Sequence, residues 1–241
     1  MRLTRRDFIK LGGAALAAAA VRPKELLAAS PAVPILMYHD IDYFDDDYTI
    51  APSLFSSQLE RLYSSGIHAY LFKELKGLSE EELKKAVVIT FDDGYASFID
   101  YAFPLLKSYG FKAAINIIGE RAGGYIHDKG PRPLLGWDEY RYLKKSGMVE
   151  LGSHTYGLHT ISKNALNSSI DEFKDDLALF IKVFKRVTGS QAEILAWPYG
   201  FYSAAATEAA KEAGFRYMLT SKKGFLEPDG ASYEVPRIII N

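Results

Sequence analysis

Two carboxylates and two imidazoles in this chain have spacings suited to metal-assisted hydrolysis. Asp92 and Asp93 are adjacent in Thr90-Phe91-Asp92-Asp93-Gly94, and His154 and His159 stand five apart in Ser153-His154-Thr155-Tyr156-Gly157-Leu158-His159. Adjacent carboxylates can divide their labour, one holding a cation while its neighbour takes a proton. Two imidazoles plus one carboxylate form a facial ligand set that leaves positions open for water and substrate. Each pair also has a plainer reading. Asp-Asp-Gly is ordinary turn chemistry, and a lone histidine beside a strand is more often a hydrogen-bonded structural residue. The occurrence of both pairs in one chain favours a shared site.

Short apolar runs position both pairs. Ala86-Val87-Val88-Ile89-Thr90-Phe91 is β-branched and continuous, the pattern of a strand buried on both faces, so Asp92 and Asp93 fall at its C-terminal end, where α/β proteins gather their ligand sites. Met148 to Gly152 reads as a second short strand, which places both histidines beyond another strand end. On a helix, five residues rotate by about 140°, which would separate the two rings, and Gly157 disfavours helix as well. A loop is the expected geometry. Further strands are expected near 35–38, 69–72, 112–118, 193–196, 216–219 and 236–240, with helices between most of them. Ser79 with Glu82, and Ser169 with Glu172, have the spacing of capping boxes. Phe173, Leu177, Phe180, Ile181, Phe184 and Val187 follow the second at helical intervals and read as core. Trp137 opens another expected helix as a packing residue. Alternation without repeats or linkers implies a parallel sheet with outer helices, an α/β fold.

The motifs resemble a known family. Thr90 to Gly94 and Ser153 to His159 resemble the first two signatures of the polysaccharide deacetylases, carbohydrate esterase family 4. Five-residue histidine spacing is similar to the branch that deacetylates poly-β-1,6-N-acetylglucosamine, as are Pro34-Ile35-Leu36-Met37-Tyr38-His39-Asp40-Ile41 and Val235-Pro236-Arg237-Ile238. The resemblance runs from about Pro34 to the C-terminus and implies a distorted, incomplete (β/α) barrel. It implies Asp92 as general base, Asp93, His154 and His159 as ligands of one divalent ion (zinc, with cobalt, nickel or iron as alternatives), and His39 as general acid. The ion would acidify a water and polarise the acetyl carbonyl, with the backbone N–H of Tyr199 as a further oxyanion donor. Trp197 and Tyr199 would wall the acetyl pocket, and Pro198 would fix their turn. Two departures stand out. The family's arginine two residues before Pro-Tyr is Ala196 here, so Asp92 must be positioned by another group. No histidine follows His159, so the usual C-terminal acid is missing.

Composition bounds the rest. The chain has 241 residues and no cysteine, which excludes disulfides and a lipid-modified cysteine. Thr4-Arg5-Arg6-Asp7-Phe8-Ile9-Lys10, then Leu11 to Val21, then Ala28-Ala29-Ser30, read as a twin-arginine signal over residues 1–30. The apolar stretch is too short to span a membrane, which needs roughly 20 residues. The expected organisation is therefore a signal at 1–30 and one catalytic domain at 31–241, exported to the periplasm or the exterior with the twin-arginine machinery as a transit partner. Beyond residue 30 the chain holds 23 basic and 28 acidic residues, which argues against nucleic acid and suits an N-acetylated polysaccharide partner.

The expected activity is removal of N-acetyl groups from an N-acetylglucosamine polymer, poly-β-1,6-N-acetylglucosamine first. Peptidoglycan, chitin oligomers and acetylxylan are the alternatives, as is a weakly active polysaccharide-binding protein on the same fold. Tyr43-Phe44-Asp45-Asp46-Asp47-Tyr48 and Gly123 to Leu135 are candidate rim loops, although a charge run such as the former is more often a solvated loop. His68 and His127 are expected at the surface.

Overall fold

The computed structural model describes residues 32–127, 130–159, 169–227 and 232–240. In chain order the strands are β1 (Ile35–Tyr38), β2 (Asp40–Ile41), β3 (Thr49–Ile50), β4 (His68–Ala69), β5 (Ala86–Phe91), β6 (Ala113–Ile117), β7 (Tyr125–His127), β8 (Pro131–Pro133), β9 (Val149–Ser153), β10 (Ile194–Ala196), β11 (Tyr217–Leu219), β12 (Ser232–Val235) and β13 (Ile238–Ile239). The helices are α1 (Pro52–Ser64), α2 (Phe72–Leu75), α3 (Glu80–Leu83), α4 (Phe103–Ser108), α5 (Trp137–Lys145), α6 (Ile170–Thr188) and α7 (Ala204–Glu212).

The main sheet runs β12-β11-β10-β9-β6-β5-β1-β13, with β4 beside the N-terminal half of β5, and its pairs are parallel. Its two ends meet in one stretch of chain: Ser232 and Val235 pair with β11, and Ile238 and Ile239 pair with β1. The sheet thus curls into the distorted, incomplete (β/α) barrel. Alternate side chains enter two apolar layers, as a strand's period of two requires. Ile35, Val88, Ala114, Ile194 and Leu219 pack inside with Phe72 and Leu75 of α2. Leu36, Ile89, Ile115 and Leu195 pack outward against Phe55, Leu143, Phe173 and Phe180 of the helices.

That alternation decides what the open end of the barrel carries. Counting on by twos from Ile35, Val88, Ala114 and Glu150, the inner face continues to His39, Asp92, Asn116 and His154. The β1–β5–β6–β9 register sets His39, Asp92, Asn116 and Gly152 at one level, with His154 one step above. Gly152 is required at that level. A Cβ there would lie 2.5 Å from Asn116 Oδ1 and 2.9 Å from Ile194 Cβ, so its absence makes room for Asn116 to turn toward Asp92.

The expected strand 69–72 is shorter: β4 ends at Ala69, and Phe72 starts α2, whose Glu74 accepts from the Leu71 amide. The Ser79 capping box forms, but Ser169, with φ −132° and ψ 50°, lies outside the extended conformation a capping side chain needs and makes no cap bond. Trp137 opens α5 and packs on Tyr140 and Phe180. Among the described residues no helix is long and apolar enough to cross a membrane. The expected signal at 1–30 lies outside the described residues.

Candidate active site

The turn Asp92-Asp93-Gly94 redirects the chain at the end of β5. Asp93 has φ +70°, a left-handed conformation that aspartate tolerates, and Gly94 follows at φ +85°, where a Cβ would lie 2.0 Å from the Tyr140 hydroxyl. The turn leaves Asp92 inside the barrel and swings Asp93 across to the histidines. Asp93 Oδ1 lies 3.1 Å from His159 Nε2 and 3.5 Å from His154 Nε2, and one ligand atom from each of the three residues falls within 4.8 Å of the others.

The donor set fits a cation. His154 Nδ1 lies 2.8 Å from the Ala196 carbonyl, which can only accept, so the proton sits on Nδ1 and Nε2 turns a lone pair toward Asp93. Burial lowers the His154 pKa against the pull of Asp92 and Asp93, which favours the neutral ring. Asp93 Oδ1 and the Nε2 atoms of both histidines therefore converge, and buried Asp93 Oδ1 has no hydrogen-bond partner among the described residues. The side chains of Asp93 and His159 are each 11% exposed, so the cluster opens toward the cavity above it.

Asp92 is held differently. Arg237 Nη1 and Nη2 donate to its two oxygens at 2.8 Å each, and Asn116 Nδ2 donates to Oδ1 at 2.7 Å. Arg237 is itself fixed by Nε donating to the Thr220 carbonyl at 2.9 Å. Burial alone would raise the Asp92 carboxyl, but Arg237 above all, with His154 and His39, holds it well below the usual carboxylate range. Three of its acceptor positions are filled, which leaves a lone pair on Oδ2.

The arginine that the third signature lacks is thus supplied from the other end of the chain. Arg237 entered the sequence reading only as part of a matched segment, and Asn116 did not enter it. Nothing near either residue names Asp92 as its partner, because 145 and 24 positions separate them from it. The one available signal was an arginine inside the apolar run Val235 to Ile240.

A cavity of about 580 Å³ covers the cluster. His39 lines it with Asp92, Asp93, His154 and His159, its ring 5.3 Å from that of Tyr48. Trp197 and Tyr199 also line it. Trp197 is buried, stacked between Phe173 at 5.7 Å and Tyr202 at 5.8 Å, while Tyr199, at φ +54°, is exposed with its ring 5.3 Å from His159. Pro198 does not line the cavity; it is buried and opens the 3₁₀ turn Pro198–Gly200. His68 is exposed as expected. His127 is exposed too, but the β7–β8 hairpin carries it to the cavity wall.

Both expected rim loops reach the cavity, through Tyr48 and through Ile126 and His127. Arg132 of β8 joins them. Its buried guanidinium donates to Asp40 at 3.1 Å, Asp46 at 2.8 Å and Thr49 at 3.0 Å, between the rings of Phe44 and Tyr95. Ser97 donates to the other oxygen of Asp40. The acidic run is therefore not purely a solvated face, since Asp46 is consumed in this buried cluster.

Comparisons with known proteins agree with this geometry. YxkH of Bacillus subtilis is 28% identical over 215 residues, 87% of this chain and 71% of that protein. The poly-β-1,6-N-acetyl-D-glucosamine N-deacetylase of Staphylococcus epidermidis is 26% identical over 202 residues, 81% of this chain and 69% of that one. The structure of IcaB from Ammonifex degensii superimposes with a TM-score of 0.77 at 26% identity, covering 88% of this chain and 92% of its own. The sequence model of the polysaccharide deacetylase family matches residues 79–218, a span that holds Asp92, Asp93, His154, His159 and the Trp197 turn. The chain belongs to the polysaccharide deacetylase family, hydrolases that remove acetyl groups from polysaccharides.

Proposed function

We propose that this protein is an exported, divalent-metal-dependent N-deacetylase whose substrate is poly-β-1,6-N-acetylglucosamine. The observation that carries the reading is the pairing of two differently built carboxylates at one barrel mouth: Asp92 locked by Arg237 and Asn116, and Asp93 converging on His154 and His159. The polymer is suggested by the names of the staphylococcal relatives and by the five-residue histidine spacing. Export rests on the twin-arginine pattern of residues 1–30.

Asp93, His154 and His159 would hold the ion, zinc or another divalent metal, and when bound it would supply a Lewis acid for the acetyl carbonyl and lower the pKa of a water. Asp92 stays ionised at any working pH and would take the attacking water's proton on Oδ2, while Arg237 and Asn116 keep the carboxylate from rotating. His39, just beyond the neighbouring strand β1, protonates the departing glucosamine nitrogen. The backbone N–H of Tyr199 donates to the tetrahedral oxyanion, and Trp197 excludes water beside the acetyl methyl. The exposed rings of Tyr48 and Tyr199 offer faces to sugar rings on either side of the cluster.

The reading as a weakly active binding protein was motivated by the missing arginine, and Arg237 removes that motive. Acetate release from β-1,6-linked N-acetylglucosamine oligomers, compared with β-1,4-linked oligomers, peptidoglycan and acetylxylan, tests the assignment. Turnover confined to the β-1,6 series is expected. Faster turnover of any other polymer would reassign the substrate, and binding without turnover in the presence of metal would restore the binding-protein reading.

A further inference from the structure

The two histidines of the cluster are oriented by different means. His154 has its own fixed partner in the Ala196 carbonyl, and its backbone N–H donates to Ile117 O at 2.8 Å, so strands β6 and β10 set both ring and backbone. His159 Nδ1 is buried and has no hydrogen-bond partner among the described residues. Around the ring stand Asp93 Oδ1, 3.1 Å from Nε2, and the rings of His154 at 4.9 Å and Tyr199 at 5.3 Å, and the path of the loop that delivers His159 sets where its ring meets them.

That loop is held from two sides. Its carbonyls, Thr155 O and Tyr156 O, accept from the amides of Gly119 at 3.0 Å and Glu120 at 2.8 Å. The Thr155 amide donates to Ser153 Oγ at 3.1 Å, and the next three amides turn to one side chain on α6. Asp176 Oδ2 accepts from Tyr156 N at 2.7 Å, and Asp176 Oδ1 accepts from Gly157 N at 2.7 Å and Leu158 N at 3.1 Å. Three consecutive N–H groups on one carboxylate are charge-assisted hydrogen bonds and repay the desolvation of a half-buried acid. The helix is a firm base, since Phe173 and Leu177 on either side of Asp176 are buried in the core and Phe173 stacks on Trp197 of the cavity wall. Thr155, at φ +68°, turns the chain so that the three amides face α6.

We propose that Asp176 is a positioning residue that orients His159 for metal binding, acting through the three amides between the two ligand histidines, and thereby sets the affinity of the metal site. The inference rests on the proposed Asp93–His154–His159 ligand set. Loss of the carboxylate leaves three adjacent amides without their acceptor, and the loop relaxes by turning them to water. Because His159 follows Leu158 directly, its ring swings out of register with Asp93. His154 stays in place, so the site is weakened rather than abolished. Outer partners that orient metal ligands change affinity by roughly 10–100-fold.

The test is competition for zinc alone against a chromophoric chelator, run on full-length protein with four variants. Asp176→Ala is expected to bind zinc roughly 10–100-fold more weakly. Asp176→Asn keeps Oδ1 for Gly157 and Leu158 and loses the acceptor for Tyr156, so a smaller loss, about three- to tenfold, is expected, and it carries the test if the alanine variant fails to fold. Leu143→Ala, in the core of α5 and away from the loop, destabilises the fold and is expected to leave zinc affinity within about twofold of wild type. His159→Ala is expected to lose tight binding altogether. Wild-type affinity in both Asp176 variants, or an equal loss in Leu143→Ala, would overturn the role of Asp176. Unchanged affinity in His159→Ala would overturn the ligand set, and this inference with it.

Discussion

At the scale of single residues, Asp92 and Asp93 are chemically identical and are separated in role by their surroundings. One is fixed in place by three donated hydrogen bonds; the other converges with the two imidazoles on a position that a cation would fill. Asp92→Asn is therefore expected to keep its metal while losing roughly 10²–10⁴-fold in kcat on both amides and esters, because water activation is common to both. His39→Ala is expected to lose as much on N-acetyl substrates but far less on acetyl esters, whose leaving alkoxide needs less help from a proton. Parallel kinetics on an N-acetyl oligomer and an acetyl ester check this, and equal losses in the His39 variant would return His39 to a structural role. The cluster of candidate ligands was legible in the sequence because Asp92-Asp93 and His154–His159 are near neighbours, with residue types that carry their own chemistry. Arg237, Asn116 and Asp176 were not. Each acts on a partner 18 to 145 positions away, and an isolated Arg, Asn or Asp carries no label for its partner.

At the scale of elements, the strand that read most plainly was Ala86–Phe91, whose β-branched run is buried on both faces. The two-residue strands β2 and β3, and the hairpin strand Pro131–Pro133, gave no such pattern, because their pairing is imposed by tertiary contacts rather than by propensity. Chief among these contacts is Arg132, which ties the Tyr43–Tyr48 loop to the β7–β8 hairpin across the mouth of the site. The cluster predicts a specific kinetic split. Arg132→Gln and Asp46→Asn should each raise KM for an N-acetylglucosamine oligomer about tenfold, roughly 1.4 kcal/mol, because the rim that meets neighbouring sugars is released. The kcat/KM for a small acetyl ester, which needs only the floor of the cavity, should remain within about twofold. Equal losses on both substrates would mean that the cluster supports the fold as a whole and not the rim.

At the scale of the whole molecule, one rule of alternation puts chemistry at one end of the barrel and leaves an acid near the other. Glu150 occupies the inner face two residues before Gly152, where burial pushes its carboxyl up to about 7 against the pull of Lys73 and the Phe72 and Lys73 amides. Its Oε2 has no partner among the described residues. A folded-state pKa above the ordinary value means that folding favours the protonated acid. That contribution is complete below about pH 4.5 and is lost as the pH rises through about 7. Glu150→Gln, which mimics the protonated acid, is expected to match wild type at pH 4 and to be about 1–3 kcal/mol more stable at pH 8. Urea unfolding at the two pH values checks it, and an equal difference at both would contradict the buried-acid account. The barrel itself was legible from alternating strand and helix patterns together with the family's motifs. The meeting of both sheet ends in Ser232–Ile239 was not, since pairing order is not written in any single strand.

The central claim is that Asp93, His154 and His159 hold the ion that deacetylation requires, while Asp92 supplies the base. The most direct measurement is a zinc titration of chelator-stripped protein, following bound metal and acetate release from a β-1,6-linked N-acetylglucosamine oligomer in the same samples. Wild type should recover full activity at one equivalent per chain, Asp92→Asn should bind one equivalent and remain inactive, and His154→Ala should bind no tight equivalent. Full activity in stripped wild type, or one tight equivalent retained by His154→Ala, would contradict the account.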